Sequence, residues 1–487
     1  MIFEILGSRI LGPYFGTSIF VWTSLIGIIM GSLSIGYWLG GRISKIRNDL
    51  LLLAWILFVA GLLMLATSLG HDYVLRRIVK YISDFRWRTV IAVMVLFGPA
   101  SICLAMVLPY AAKMVMNNIR TSGSAIGNLY ALSTLGSIMG TFAAGFLLVP
   151  AFGFAVVLFA TSASLLIIAL ALFVVEKKPL PIITGFAISS VLIVFWFVLT
   201  KKPLDYIDVD TQYNRVIIYN TTDNMTGRPV KILKVNDEKS SAMFTDADND
   251  LAFEVLKYYR LVEHFNPGFR SSLMIGGSGY AFPKDYLHRY TEAAIDVVEI
   301  DPGLTKLARQ YFNLTDNPRL TIFHEDGRTF LNHSVKKYDA VFMDAYKSML
   351  TIPYQLTTRE AVQKIFDILN EKGAVYANII SSLDQNNDLF LRSEIATYQS
   401  VFPQVYLFAV QYPEPSEIEK QYFQNFLLVG LKSQIKPEFT SDNEELNRFL
   451  NHLISIDPGS EAIVLTDEYA PVEFYASKAL SRFTRQK

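Results

Sequence analysis

Cysteine is almost absent from the sequence, which has a single one, Cys103, among 487 residues. One cysteine excludes an intrachain disulfide bond and any metal site built from several cysteines. Charge is also scarce: Asp, Glu, Lys and Arg make up only 18% of the residues, whereas a soluble chain carries about a quarter. The formal net charge is zero, so composition does not point to nucleic acid as a partner. The 52% of hydrophobic residues predicts that part of the chain lies in lipid.

Long apolar runs occupy the first two hundred residues. A bilayer core of roughly 30 Å needs about 20 apolar residues in a helix. Gly136 and Gly140 form a step of small residues that lets two helix backbones approach, which favours a packed bundle over independent anchors. We therefore predict a multi-pass transmembrane bundle over residues 1–200 that acts as an anchor or scaffold, with a transport or substrate-delivery role as the alternative. The predicted full spans lie near 17–40, 50–70, 90–115, 126–150, 153–175 and 181–200.

Two segments of this half are ambiguous. Residues 2–11 are apolar but too short to span a bilayer, so they form either an interfacial helix or the end of a longer helix that begins upstream, and no signal-peptide pattern precedes them. Residues 71–88 are consistent with an amphipathic surface helix. Basic residues at 42–47 and 76–88 flank opposite ends of the second span, so charge leaves the topology open.

The composition changes after residue 201. Two β-rich runs at 213–220 and 229–235 predict a small β-hairpin region over 201–248. Strand and helix patterns then alternate, which is typical of an α/β doubly wound, mostly parallel sheet of Rossmann-like type. We predict that this second domain covers residues 249–487, with its chemistry at the carboxyl ends of the strands.

Glycines and acids stand at those strand ends. The first strand is followed by Gly276-Gly277-Ser278-Gly279-Tyr280, where the lack of side chains lets the backbone approach a ligand. Glu299 follows the second strand, 23 residues after Gly276, a spacing that suits hydrogen bonds to two ribose hydroxyls. Asp326 follows the third strand and could hold an adenine amino group, and Asp344 follows the fourth. The pattern predicts an adenine-nucleoside site.

The chemistry around the loop separates two kinds of nucleoside ligand. A dinucleotide such as NAD needs a cradle for its pyrophosphate, and no lysine or arginine lies in the glycine loop. Asp344 instead stands where a sulfonium cation would sit, which favours S-adenosylmethionine or its decarboxylated form. The histidines at 264, 288, 324 and 333 lack metal-ligand spacing, so no metal is expected.

Residues 205–385 resemble the spermidine synthase (polyamine aminopropyltransferase) family, whose catalytic domain has the fold of class I S-adenosylmethionine-dependent methyltransferases. The resemblance is closer to its membrane-fused branch, which has an N-terminal transmembrane bundle. In the bundle it is carried by Glu4-Ile5-Leu6-Gly7-Ser8-Arg9 and Gly36-Tyr37-Trp38-Leu39-Gly40-Gly41. In the second domain it is carried by Thr211-Gln212-Tyr213-Asn214, the 276–280 loop, Val298-Glu299-Ile300-Asp301, Glu325-Asp326-Gly327, Asp344-Ala345-Tyr346 and the run 352–360.

The resemblance implies roles for individual residues. Asp344 would be the general base, Glu299 would bind ribose and Asp326 would bind adenine. The donor would be decarboxylated S-adenosylmethionine, and the acceptor putrescine or a related amine. A homo-oligomer is also implied, and the cytosolic donor places the catalytic domain in the cytoplasm. The remaining cofactor contacts would come from Gly276, Gly277, Gly279, Asp301 and Gly327, and the acceptor contacts from Glu254, Tyr346 and Tyr354.

The sequence departs from that family where cationic amines are bound. Gly279 and Lys347 stand where the synthases have aspartates, and Ala252-Phe253-Glu254 stands where they have Tyr-His-Glu. Three hypotheses follow. The chain is a membrane-bound aminopropyltransferase, or an S-adenosylmethionine-dependent methyl- or aminoalkyltransferase for another acceptor, or a non-catalytic nucleoside-binding or transport-linked protein.

Overall fold

Long apolar helices fill the first of two structural units, Met1–Leu204, and a second unit, Asp205–Lys487, holds all of the strands in the part of the chain that the structure describes. The computed structural model describes residues 1–16, 18–82, 84–116, 119–177, 206–236, 238–247, 249–345, 352–385 and 387–476. The helices of the first unit are Ile2–Phe15, Ile19–Ile46, Leu50–Tyr81, Phe85–Leu96, Gly98–Val115, Ile119–Phe142, the π-helical Ala143–Leu148 and Val149–Val175.

In the part of the chain that the structure describes, five stretches of helix are long and apolar enough to cross a membrane. They correspond to five of the six predicted spans, and the sixth, near 181–200, lies outside the described residues. The stretches are Ile19–Ile46, Leu50–Tyr81, Gly98–Val115, Gly123–Leu148 and Ala151–Val175.

Close helix packing occurs at a different glycine pair from the predicted one. A Cβ on Gly36 would lie 2.3 Å from the carbonyl oxygen of Ile102, and one on Gly40 would lie 2.6 Å from that of Met106. These two glycines, four residues apart, therefore bring helices Ile19–Ile46 and Gly98–Val115 together. At Gly136 a Cβ would meet no described atom within 4 Å, whereas one on Gly140 would lie 3.1 Å from the Cγ1 of Ile2, on the first helix.

The two ambiguous segments have definite structures. The first helix, Ile2–Phe15, buries Phe3, Leu6 and Ile10, so one of its faces packs within the helical unit. The separate surface helix predicted over 71–88 is wrong. Helix Leu50–Tyr81 continues without a break through most of that segment, and a new helix begins after Asp84, whose side chain accepts hydrogen bonds from two backbone N–H groups of the next turn.

Strands β1 (Ile207–Asp210), β2 (Arg215–Thr222), β3 (Pro229–Val235) and β4 (Glu238–Phe244) form an antiparallel sheet at the start of the second unit. The predicted hairpin corresponds to β2 and β3, which are paired antiparallel. The two outer strands, which were not predicted, are also connected to it by antiparallel pairing.

An eight-stranded sheet forms the centre of the second unit, in the order β12-β10-β11-β9-β8-β5-β6-β7. The pairs from β9 through β8 and β5 to β7 are parallel, and the pairs that add β11, β10 and β12 are antiparallel. The mostly parallel, Rossmann-like sheet is thus confirmed. Its strands are β5 (Ser271–Ile275), β6 (Ala294–Val298), β7 (Leu320–Phe323), β8 (Tyr338–Met343), β9 (Leu369–Ser381), β10 (Gln404–Ala409), β11 (Gln424–Leu431) and β12 (Leu453–Ile454).

Apolar clusters cover both faces of this sheet, as is usual for parallel strands with helices on either side. The sequence pattern predicts a helical stretch over 249–264. The structure divides this segment into three short pieces, Glu254–Tyr258, Tyr259–Leu261 and Val262–Phe265. The other helices are Ala281–Arg289, Pro302–Tyr311, Gly327–His333, Arg359–Ile368, Leu389–Gln399 and Glu444–Leu450, with 3₁₀ turns at Tyr354–Leu356 and Glu419–Gln421.

Candidate functional site

A cavity of 1190 Å³ in the second unit opens where the parallel strands β5, β6 and β8 end. Its wall includes seven of the sequence-predicted site residues: Gly276, Gly277, Glu299, Asp326, Gly327, Asp344 and Glu254. Gly279, Asp301 and Tyr354 are not part of that wall, and Tyr346 lies outside the described residues. The topology therefore brings the glycine loop and the strand-end acids together, as the sequence predicted for one edge of the sheet.

The glycine loop after β5 has a backbone that side chains would obstruct. Gly276 has a φ of +99°, and a Cβ there would lie 2.3 Å from the carbonyl oxygen of Asp344. Ser278 and Tyr280 also have positive φ angles, of 45° and 56°. The Tyr280 side chain is buried and shares a hydrogen bond with Thr305, which holds the end of the loop against helix Pro302–Tyr311.

Glu299 holds the glycine loop in place through hydrogen bonds to its backbone. Its Oε2 accepts hydrogen bonds from the backbone N–H groups of Gly277 and Ser278, both at 2.9 Å, and its Oε1 accepts one from Asp301 at 2.9 Å. Burial raises the pKa of Glu299, and the three backbone donors oppose that rise. A carboxylate has about four lone-pair directions, so roughly one remains for a ligand hydroxyl.

Asp301 connects the small sheet to the nucleoside domain. Its side chain is fully buried and accepts hydrogen bonds from the side chains of Thr211 and Asn214, the latter at 2.8 Å. It also accepts one from the N–H of Gly303 at 3.0 Å, which caps helix Pro302–Tyr311. These contacts occupy the carboxylate with the protein itself, so the structure places Asp301 behind the cavity wall.

Asp326 and Gly327 lie at the start of helix Gly327–His333. Oδ1 of Asp326 accepts a hydrogen bond from the N–H of Thr329 at 3.0 Å, and its Oδ2 has no donor within the described ranges. A Cβ on Gly327 would lie 2.6 Å from the Cγ2 of Ile275, so the glycine lets this helix pack directly on β5. The second oxygen of Asp326 is thereby held at the cavity.

Asp344 follows β8 and is half-buried at the cavity wall. Its Oδ1 accepts a hydrogen bond of 2.9 Å from the Nδ2 of Asn378, on the adjacent strand β9. Burial raises the pKa of Asp344 to about 6, and the Asn378 donor lowers it in part. A carboxyl group with this pKa can exchange a proton near neutral pH, which suits a general base.

Three further amide side chains lie behind Asp344 in the same cavity, and they were not predicted from the sequence. Oδ1 of Asn378 accepts a hydrogen bond from Nδ2 of Asn425 at 2.9 Å, and Asn425 is bonded in turn to Gln411. The available signal was weak: Asn378 and Asn425 are polar residues inside the apolar strands β9 and β11.

Glu254, the one acid among the residues predicted to bind the acceptor, is already engaged in ion pairs. Glu254 accepts a charge-assisted hydrogen bond from Lys257 at 2.7 Å and another from Arg448 at 3.1 Å, so two cations surround it. Tyr354 is 51% exposed. Tyr346 and Lys347 lie outside the described residues.

Gly279 faces the small sheet. A Cβ at this position would lie 2.5 Å from the Oγ of Ser241 on β4, so that serine occupies the space that a side chain at position 279 would need. Position 279, which has no acidic side chain, therefore packs directly against Ser241. Ser241 itself lies at the cavity wall.

Comparison with known proteins identifies the second unit. Residues 248–424 match the spermine/spermidine synthase domain. The polyamine aminopropyltransferase of Vibrio vulnificus (strain CMCP6) is 27% identical over 220 residues, which is 42% of this chain and 70% of that protein. The polyamine aminopropyltransferase of Pyrobaculum calidifontis is 32% identical over 177 residues, 34% of this chain and 56% of that protein. The crystal structure of a probable spermidine synthase from Corynebacterium glutamicum has 21% identity and a TM-score of 0.42, covering 50% of this chain and 85% of that one.

Proposed function

Because residues 248–424 match the spermine/spermidine synthase domain, we propose that this protein is a membrane-bound aminopropyltransferase that uses decarboxylated S-adenosylmethionine as its donor. The acceptor is putrescine or a related amine. The observation that carries the proposal is Asp344, a carboxylate with a pKa of about 6 beside the glycine loop and the acids of a nucleoside site. Five helices long and apolar enough for a bilayer support attachment to the cell membrane.

The donor is held by the protein in three places. Glu299 fixes the glycine loop and offers its remaining lone pair to the ribose, and Oδ2 of Asp326 accepts a hydrogen bond from the adenine amino group. The absence of side chains at Gly276 and Gly277 gives the donor's sulfonium room beside Asp344. The negative charge of Asp344 favours that cation over a neutral ligand.

Asp344 acts on the acceptor during transfer. An acceptor amine has a pKa of about 10, so it arrives as an ammonium ion. Asp344 orients this ammonium ion and takes one of its protons, and the nitrogen lone pair attacks the donor's methylene carbon next to sulfur. The carbon–nitrogen bond forms as the carbon–sulfur bond breaks, and the sulfur leaves with the electron pair as a neutral thioether. The new nitrogen–aminopropyl product is a secondary ammonium ion, which carries the positive charge that the sulfur has lost, and Asp344 returns its proton to solvent.

A second candidate is transfer to an acceptor other than a diamine. The ion pairs of Glu254 with Lys257 and Arg448 leave that part of the cavity without the uncompensated negative charge that a second ammonium group would need. This candidate keeps the same donor site and the same base, and it differs only in the compound that reaches Asp344.

Binding and turnover by the full-length protein in lipid nanodiscs test the proposal. Calorimetry compares decarboxylated S-adenosylmethionine with S-adenosylmethionine, and mass spectrometry then detects the product after putrescine is added. We expect the decarboxylated donor to bind more tightly and aminopropyl transfer to follow. Asp344→Asn should bind the donor more weakly, because the negative charge beside the sulfonium is removed, and should lose about 10²–10⁴-fold in kcat. The control is Asp316→Asn, since that side chain is 90% exposed.

The outcomes separate the hypotheses. Donor binding without transfer to putrescine, but with transfer to another amine, supports the second candidate. Preference for the carboxylated donor indicates a different transferase. Failure of both nucleosides to bind contradicts the proposed function.

A further inference from the structure

Three hydrogen bonds donated by side-chain amides follow one another toward Asp344. Gln411 donates from Nε2 to Oδ1 of Asn425 at 3.1 Å, and Asn425 donates from Nδ2 to Oδ1 of Asn378 at 2.9 Å. Asn378 then donates from Nδ2 to Oδ1 of Asp344 at 2.9 Å. We call this series of three hydrogen bonds the relay. It starts in the segment after β10, passes through β11 and β9, and ends at Asp344, directly after β8.

The direction of the relay matters because each amide has two unlike ends. An amide presents either two N–H donors or an acceptor oxygen, and a half-turn of its plane exchanges them. If Asn378 turned in this way, its oxygen would face a carboxylate oxygen and repel it. The Asp344 carboxylate would then face the oxygen of Asn378 instead of its N–H donor.

A backbone N–H fixes the direction. The N–H of Asn425 donates to Oε1 of Gln411 at 2.8 Å, and a backbone N–H can only donate. Gln411 must therefore turn its oxygen toward the backbone and its nitrogen toward Oδ1 of Asn425. The nitrogen of Asn425 is then left for Asn378, whose own nitrogen is left for Asp344.

We propose that Asn425 and Gln411 are positioning residues, which hold the Asn378 amide with its donor against the carboxylate of Asp344. This rests on the proposed function only for the role of Asp344 as the base. The consequence is that two residues with no contact to that carboxylate control how readily it gives up its proton.

Other charges do not supply this control. Three of the charged groups that line the cavity have partners of their own: Glu254 with Lys257 and Arg448, Glu299 with three backbone N–H groups, and Arg260 with Asp285 and Glu445. Asp326 caps a helix. Among the described residues, burial and the Asn378 amide are the two causes that move the pKa of Asp344.

Asn425→Asp tests the proposal, since the new side chain has the same shape but no N–H to donate to Asn378. We expect the half-point of Asp344 titration to move up by about one pH unit. Asn425→Leu removes the donor without adding charge, and we expect a smaller rise. If Asn425→Asp does not fold, Gln411→Leu breaks the same relay one step earlier and should also raise the half-point.

The chain offers a matched control at the opposite end of the same two strands. Asn370 at the start of β9 donates to Oδ1 of Asp339 on β8 at 2.7 Å, which repeats the Asn378–Asp344 pair far from the cavity wall. Asn370→Asp should lower the melting temperature and leave the titration of Asp344 unchanged. A structural effect common to any such substitution would therefore not imitate the expected shift.

Two measurements on the full-length protein distinguish failure of this inference from failure of the proposed function. The pH dependence of kcat/KM reports the base during turnover. Difference infrared spectroscopy follows the protonated carboxyl band during a pH titration, with Asp344→Asn to identify it, and needs no turnover. A raised half-point in the infrared titration supports the relay even if no transfer occurs. If Asp344 titrates at the wild-type half-point in both Asn425 variants, the proposal is overturned.

Discussion

The Cα of Gly276 lies so close to the end of β8 that a Cβ on it would stand 2.3 Å from the carbonyl oxygen of Asp344. The loop that approaches the nucleoside and the strand that carries the base thus meet where only glycine fits. Any displacement of one is transmitted to the other, because the contact is between two backbones.

Gly276→Ala should destabilise the fold by about 2–4 kcal/mol, since the new methyl group overlaps a backbone oxygen and the φ of +99° strains an L-residue. Chemical denaturation measures the loss. Gly268→Ala is the matched control, because a Cβ there meets no described atom within 4 Å. Equal stabilities for the two variants would contradict the close contact.

Catalysis should fail on the acidic side of neutrality. A base works only when deprotonated, and the pKa of Asp344 is about 6, so kcat/KM should fall about tenfold for each pH unit below that value. The measurement is a pH–rate profile at saturating donor. An acidic limb near pH 4, the range of an unperturbed aspartate, would show that burial does not act on the base as described.

The burial that raises the pKa of Asp344 should also make its ionised form lower the free energy of unfolding. Its pKa is raised in the fold from 3.8 to about 6, so the native state binds the proton more tightly than the unfolded chain. Stability from this group is therefore present at low pH and is lost as pH rises from about 4 through 6.

Asp344→Asn should consequently be more stable than the wild type at pH 8, by about 2 kcal/mol after allowance for the partial exposure of the carboxyl group. The gap should close below pH 4. Melting temperatures of both proteins across that range measure it. A variant that is less stable at pH 8 would contradict this prediction.

Ser241 should block an acid in the glycine loop. Gly279→Asp alone brings its Cβ to 2.5 Å from the Oγ of Ser241, so we expect a loss of about 1–3 kcal/mol. The double variant Gly279→Asp/Ser241→Gly removes that serine side chain and should recover much of the loss. Thermal unfolding compares the two variants with Ser241→Gly alone, and no recovery would mean that another contact excludes the aspartate.

The parallel strands were predictable because they are apolar, short and separated by helical patterns. The sequence pattern predicts strands at 272–276, 295–300, 319–324 and 339–344. These limits differ from those of β5, β6, β7 and β8 by two residues or fewer. Their order along the chain then placed Glu299, Asp326 and Asp344 at one edge of the sheet. Strand β12, with two residues, is too short to produce a recognisable alternation.

The side-chain partners were less predictable, because they depend on contacts between distant parts of the sequence. Asp301 has the spacing of a ligand-binding acid, yet Thr211 and Asn214, 90 and 87 residues earlier, take up its carboxylate. Asn425 is 47 residues from Asn378. No local pattern relates such pairs, and only the folding of the chain brings them together.

Helix Leu50–Tyr81 has 32 residues, so at 1.5 Å per residue it is about 48 Å long, well beyond a hydrocarbon core of roughly 30 Å. Its first twenty residues contain no charged side chain, whereas Asp72, Arg76, Arg77 and Lys80 all lie in its last ten. A charged helix end is more stable among lipid headgroups and water than in the hydrocarbon core. In a bilayer, the last turns of this helix would therefore extend beyond the membrane surface as a rigid helical segment.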